Sequence, residues 1–368
     1  MTRPRILLVS TGGTITMTGA AGGGIAPALT AEDLVRDIAP LGVVAELDVT
    51  TFSTKPGASL TLDELAAIAT LVDRRLAGDC MGAVIVQGTD TIEETAFVFD
   101  LLVRSDKPVV VTGAMRGAAA PGADGPANLL AAVTVAACPA VVGLGTLVVL
   151  NDGIHAARHV AKTDTALPDA FASPSAGPLG RVAEGEVLLL SRVTRRPALD
   201  LPARAAAPPV ALVRIGLGDD GRLIGALAGL GYRGAVIEAM GAGHVPDHLA
   251  PVIGALAAAM PVVLSSRTGG GPVFRRTYGF AGSEIDLIGR GAIPGGVIGG
   301  VKARLLLQLL ITQGLTGSGL AEAYALRSGG EPGSSGLSQP SPVPSSFHVP
   351  APQAGLAGAA RRGKASLP

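Results

Sequence analysis

Short apolar runs recur along the first half of the chain, each ending in a polar or glycine-rich turn and leading to a segment with helical spacing. Ile6-Leu7-Leu8-Val9 precedes Ser10-Thr11-Gly12-Gly13-Thr14-Ile15, and Ala83-Val84-Ile85-Val86 precedes Gln87-Gly88-Thr89-Asp90-Thr91. Unbroken apolar runs of this length read as strands buried on both faces of a parallel sheet. The pattern predicts a strand over Arg5–Ser10, a Gly/Ala-rich loop from Thr16 to Gly24, and a helix starting at Thr30, where Thr30-Ala31-Glu32-Asp33 offers an N-cap and early acidic residues. Val43–Phe52 reads as extended, and Thr61 as the cap of a helix Leu62–Ala77. Strand Gly82–Gln87, helix Ile92–Arg104, strand Pro108–Thr112, helix Gly125–Ala137 and strand Gly145–Leu150 follow. Repeated βα units predict an α/β fold with a doubly wound, mostly parallel sheet and right-handed crossovers.

Ser191–Pro209 breaks the pattern. It is rich in Pro, Arg and Ala without periodicity and reads as a linker, with Arg195-Arg196 as a solvated charge pair. Beyond it, Val210–Ile215, Gly234–Ala239 and Pro261–Ser265 read as strands, with helices near Arg222–Leu230 and Asp247–Ala258. A helix Gly300–Gln313 and a short one near Leu320–Leu326 close a smaller α/β domain. The expected division is residues 1–190, linker 191–209, second domain 210–328, and a Gly/Pro/Ser-rich tail over 329–368 too poor in apolar anchors to fold.

Composition narrows the class. Lys and Arg together number 29, matching Asp and Glu at 29, so no excess charge favours nucleic acid or an anionic membrane. Aromatic residues make up only 3 %, so the core is built from Ala, Val, Leu and Ile. Arg3-Pro4-Arg5 leads into an apolar run shorter than the core of a signal peptide, and no stretch is long enough to span a bilayer. Cys80 and Cys138 lie far apart and read as reduced thiols, so the expected location is the cytoplasm.

Candidate chemistry sits in the two Gly-Thr turns. Both stand at strand C-termini, the edge where open α/β sheets bind ligands. A threonine hydroxyl needs a base to act as a nucleophile, and a tetrahedral oxyanion needs backbone N–H donors such as glycine-rich turns supply. Thr14 and Thr89 are the two candidate hydroxyls. Asp90 adds a carboxylate able to hold a substrate ammonium, and Lys162, in Ala161-Lys162-Thr163-Asp164-Thr165, is the candidate base. The pairs His155/His159 and His244/His248 have metal-ligand spacing but no evident third ligand, so no metal is expected.

On these residues the chain resembles the bacterial-type L-asparaginase family over about Arg5 to Gly314. Matching segments are Thr11-Gly12-Gly13-Thr14-Ile15, Gln87-Gly88-Thr89-Asp90-Thr91-Ile92-Glu93-Glu94-Thr95, Thr112-Gly113-Ala114-Met115-Arg116, Asp124-Gly125-Pro126-Ala127-Asn128-Leu129 and Asn151-Asp152-Gly153-Ile154. Gly241-Ala242-Gly243-His244, Ser265-Ser266-Arg267-Thr268-Gly269 and Lys302-Ala303-Arg304 extend the match. The resemblance implies hydrolysis of the side-chain amide of L-asparagine, in some members also L-glutamine, by double displacement through an acyl-enzyme. It implies Thr14 as nucleophile, Thr89, Lys162 and Asp90 as a second polar group, the Gly88–Thr89 backbone and Ala114 near the substrate amide carbonyl, and Gly13 among the substrate-binding residues. It implies no cofactor, and a homodimer or homotetramer in which a neighbouring subunit completes the site.

Three positions depart from the family pattern. The tyrosine usual on the mobile loop falls at Ile25, after a Gly22-Gly23-Gly24 run read as a lid hinge. The serine that holds the substrate carboxylate falls at Gly57, or at Ser59 if the loop shifts by two residues. The asparagine reached across the dimer interface is replaced by His244. Other readings of the same site are L-glutamine or D-asparagine hydrolysis, aspartate racemisation, and an amino-acid-binding homologue without turnover.

Overall fold

In the computed structural model of the protein, residues 3–19, 25–27, 29–36, 38–201 and 207–329 are described. The lid hinge Gly22-Gly23-Gly24 and the tail from residue 330 lie outside them. The fold is α/β, with one large sheet and one smaller one. The large sheet has eight strands in the order 186–189, 180–183, 153–156, 146–150, 109–112, 82–86, 5–10, 46–51. From Thr146–Leu150 to Glu46–Thr51 its strands are parallel. The smaller sheet is wholly parallel, in the order 210–214, 234–239, 262–266, 293–294.

The winding of the large sheet locates the site. From Arg5–Ser10 the chain moves outward to Glu46–Thr51, then returns across to Gly82–Val86 on the other side of Arg5–Ser10. From there it winds in the opposite direction. The order therefore reverses between the first strand and Gly82–Val86, and the loops leaving their C-terminal ends diverge to open a crevice. Those loops are the two Gly-Thr turns.

Both strands are buried on both faces, and the sheet is sandwiched. Helix Gly125–Ala136 covers one face with Ala31, Leu41 and Ile15. Helices Leu62–Leu76 and Ile92–Leu102 cover the other, and helix Gly300–Thr312 of the second sheet packs into the same apolar layer. The helix over Leu62–Leu76 begins with a complete capping box. Glu64 N donates to Thr61 Oγ1 at 3.3 Å, and Thr61 N donates to Glu64 Oε2 at 2.9 Å. Thr61→Ala is expected to lower stability by ~1 kcal/mol in a denaturant titration, with no change in slope.

Among the departures from the sequence expectations, four concern the large sheet and its flanking segments. Leu41–Val44 is a helical turn, so the extended segment starts at Glu46 rather than Val43; Leu41 is buried, and burying it holds the turn. Met17–Gly19, within the expected loop from Thr16 to Gly24, is a strand paired antiparallel with Ile25–Pro27 beyond it. Three antiparallel strands, 153–156, 180–183 and 186–189, extend the sheet beyond Thr146–Leu150. Their hairpins turn on positive φ at both central positions, Asn151 (46°) with Asp152 (59°) and Glu184 (52°) with Gly185 (78°), the two-residue turn that matches strand twist. Finally, Arg195 is not solvated. Its side chain is 12 % exposed, and its guanidinium donates to the carbonyls of Val103, Arg104 and Ser105 and to Asp106 Oδ1, closing the end of helix Ile92–Leu102.

Candidate active site

The two Gly-Thr turns are in direct backbone contact. Gly13 has φ 93°, and a Cβ placed on it would lie 2.0 Å from Gly88 N and 2.2 Å from Gly88 Cα. A third glycine joins them. A Cβ on Gly57 would lie 2.8 Å from Gly88 O, and one on Gly88 would lie 3.0 Å from Gly57 N. Only residues without side chains allow the three loops to close in this way. Beside this contact, Thr14 opens a short helical turn over Thr14–Thr16, half-buried, with Thr16 Oγ1 donating to Gly13 O at 2.7 Å. Thr89 opens the turn Thr89–Thr91 and is 5 % exposed. Thr91 Oγ1 donates to Gly57 O at 3.0 Å, and Gln87 Nε2 to Thr91 Oγ1 at 3.3 Å, tying the Gly57 loop to the second motif.

Lys162 reaches this group from a two-residue strand, Ala161–Lys162, paired with Phe171–Ala172. Its Nζ donates to Thr89 Oγ1 at 3.0 Å and to Asp90 Oδ1 at 3.0 Å. The Lys162 side chain is 18 % exposed and the Asp90 side chain 68 %. The contact with the nearly buried Thr89 hydroxyl is shielded, while the Asp90 carboxylate faces solvent and keeps acceptor capacity for an incoming cation. The arrangement can withdraw a proton from a hydroxyl or a water beside Thr89 and bind an ammonium at Asp90.

The loop after Val109–Thr112 completes the wall. A Cβ on Gly113 would lie 2.4 Å from Gln87 O and 3.4 Å from Thr89 Cγ2, so the Gly113-Ala114 backbone runs against the second motif, with Ala114 buried. Two residues with no role in the sequence reading hold it there. Asp124 accepts from Met115 N and Arg116 N, each at 2.9 Å. Asn128 Nδ2 donates to Gly113 O at 3.0 Å, and its Oδ1 accepts from Asn151 N at 2.8 Å. Their spacing, four residues apart at the start of a helix, is the signal that could have found them. Glu93 was also missed; its Oε1 accepts from the Lys162 backbone N–H at 3.4 Å.

Thr14, Gly13, Gly57, Gly88, Thr89, Asp90, Ala114 and Lys162 thus gather at the switch point. Ser59 ends the short turn Gly57–Ser59 and is exposed. Ile25 is placed by its backbone in the hairpin that follows Thr14. His244 is not part of the group. It follows strand Gly234–Ala239 of the smaller sheet, with Nε2 at 3.3 Å from Glu284 Oε2 and its ring edge-on to Tyr278 and Phe280. Among the described residues no contact joins it to Thr14, Thr89 or Lys162. Neither histidine pair is set at i, i+4 on one face of a helix. His155 lies on a strand rather than a helix, bonded to Ser173 Oγ at 3.0 Å, and His248 Nε2 meets Asp219 O at 3.0 Å. No cluster of three His, Cys, Asp or Glu suited to a metal occurs among the described residues.

Comparison with known proteins gives one result across the chain. Residues 5–195 match the family described as Asparaginase, N-terminal, and residues 209–323 match Glutaminase/Asparaginase C-terminal domain. A probable L-asparaginase of Deinococcus radiodurans is 37 % identical over 326 residues, covering 84 % of this chain and 94 % of that protein. An L-asparaginase of Bacillus licheniformis is 32 % identical over 309 residues, covering 83 % and 95 % respectively. The crystal structure of a probable cytoplasmic L-asparaginase from Campylobacter jejuni superposes with a TM-score of 0.78 at 29 % identity, covering 88 % of this chain and 99 % of that one.

Proposed function

The chain belongs to the bacterial-type L-asparaginase family, and from that premise we propose that it hydrolyses the side-chain amide of L-asparagine to L-aspartate and ammonia. The observation that carries this reading is the Lys162 amine held 3.0 Å from both Thr89 Oγ1 and Asp90 Oδ1, beside the Gly13–Gly88 contact that brings Thr14 alongside. In this reading Thr14 Oγ attacks the amide carbon, and its proton passes to the departing nitrogen. The C–N bond breaks and ammonia leaves an acyl ester on Thr14. Water, deprotonated through Thr89 and Lys162, then attacks the ester and returns the proton to Thr14. Asp90 binds the substrate α-ammonium, Gly57 or Ser59 lies at its α-carboxylate, and the Gly88–Thr89 and Ala114 backbone faces the amide oxygen.

The working form is a homodimer or homotetramer, with His244 turned to a neighbouring subunit's site. Its separation from Thr89 within one chain, among the exposed rings of Phe274, Tyr278 and Phe280, supports this. No helix among the described residues is long and apolar enough to cross a membrane. A cytoplasmic location rests on the free thiols of Cys80 and Cys138.

The direct test is ammonia release by the purified protein from L-asparagine, D-asparagine and L-glutamine. Release from L-asparagine is expected. A protein that binds the amino acid and frees no ammonia from any of the three is a binding homologue, and the hydrolase reading falls.

A further inference from the structure

The Lys162 strand is fixed from the second sheet as well as from the first. Lys302 stands on helix Gly300–Thr312 and is only 3 % exposed. Its Nζ crosses to the large-sheet side and donates to the carbonyl of Val160. Val160 immediately precedes the two-residue strand Ala161–Lys162. Two residues along, Glu93 Oε1 accepts from the Lys162 backbone N–H at 3.4 Å. Glu93 lies in the first turn of helix Ile92–Leu102, which continues directly from the Thr89–Thr91 turn. The backbone carrying Lys162 is therefore gripped at its carbonyl by an ammonium and at its amide by a carboxylate. The carboxylate belongs to the segment that also carries Thr89.

We infer that Lys302 and Glu93 are positioning residues that set the distance between Lys162 Nζ and the Thr89 hydroxyl. The inference rests on the reading of Lys162 as a working group of the site. A two-residue strand has little ladder of its own, so its place depends on such outside contacts.

The electrostatics make this a coupled unit. Around the Lys302 ammonium stand Glu93, Glu94 and Asp100 from helix Ile92–Leu102. Arg158 and His159 come from the segment before the Lys162 strand, and Arg304 of the same helix as Lys302 lies 3.9 Å from Glu94. Burial pulls Lys302 down to about 8, while the three carboxylates hold charge on it. Burial raises the Glu93 carboxyl, and Lys302 and the Lys162 N–H oppose that shift. His159, down to about 4 through burial and the neighbouring Arg158 and Lys302, is neutral at working pH and adds no competing charge. A buried lysine is expensive to keep in an apolar layer. A methionine of similar length would fill the same space, so the ammonium is there for what it holds.

The test compares Lys302→Met and Glu93→Ala in two backgrounds, wild type and Lys162→Met, by L-asparagine turnover and thermal melting. In the wild-type background each is expected to lower kcat by about tenfold, the scale set by sub-ångström misplacement, with KM changed less than about twofold. In the Lys162→Met background neither should lower the residual kcat by more than about twofold, because there is no amine left to place. A contact that only stabilises the fold would reduce turnover by the same factor in both backgrounds, and that result overturns the inference. If Lys302→Met fails to fold, Glu93→Ala, at a half-buried position, carries the comparison alone. Wild-type turnover in Lys162→Met itself would sink both this inference and the reading beneath it. Loss there with unaltered kcat in Lys302→Met and Glu93→Ala sinks this inference only.

Discussion

Lys162→Met is expected to lower L-asparagine turnover by about 10²- to 10⁴-fold, the range for losing a positioned proton acceptor, while the protein melts close to wild type. Among the described residues the Nζ bonds to two side chains, at Thr89 Oγ1 and Asp90 Oδ1, and so reaches the hydroxyl that would pass on a proton. Methionine fills the stem and removes the donor and acceptor at its end. Little stability should be lost, because the ion pair with Asp90 has an exposed partner and such pairs contribute at most about 1 kcal/mol. Thr89→Val should reproduce the loss, and the double variant should fall little below either single one, since groups acting as a unit are not additive. Thr14→Ala then separates the two hydroxyls. If it is inactive, Thr14 is the nucleophile; wild-type rates would move that role to Thr89. Unchanged kcat in Lys162→Met would remove the base from the mechanism altogether.

The structure explains why some of this was legible and some was not. Burial on both faces wrote the strands before Thr11 and Gln87 into the sequence as unbroken apolar runs, and the boundaries of Arg5–Ser10 and Gly234–Ala239 follow from that alone. The hydroxyls were legible because each follows such a strand. Their meeting was not. It depends on the winding order of the sheet and on Gly13, Gly57 and Gly88 closing on one another, which no local pattern encodes. Lys162 could be named by type, but its bond to Thr89 spans 73 positions and rests on contacts from Glu93 and Lys302. The antiparallel strands past Leu150 were missed because Asn151-Asp152-Gly153 was read as a motif rather than as a hairpin turn. Arg195 misled for a different reason. A charged residue in an aperiodic stretch looks solvated unless the helix end it closes is already in view.

Gly13→Ala is expected to be the most damaging single-methyl change in the molecule's catalytic half, lowering stability by about 3–5 kcal/mol. Two independent terms support that size. At φ 93° and ψ −177° an alanine is strained by ~1–3 kcal/mol, and the new Cβ would overpack by a further ~1–3 kcal/mol. The atoms it would strike are Gly88 N at 2.0 Å, Gly88 Cα at 2.2 Å and the Gln87 carbonyl carbon at 2.7 Å. All are backbone, so no side chain can swing aside; one loop must leave the other. Gly269→Ala separates the two terms. Gly269 has φ 75° and nothing within 4 Å of an added Cβ, so it bears strain without collision and should lose only ~1 kcal/mol. Denaturant midpoints for the two variants give the difference directly. Any folded Gly13→Ala protein should also lose turnover, because separating the loops moves Thr14 away from the Lys162–Thr89 pair. Near-wild-type stability and turnover in Gly13→Ala would mean that the two threonine loops need not touch for the site to work.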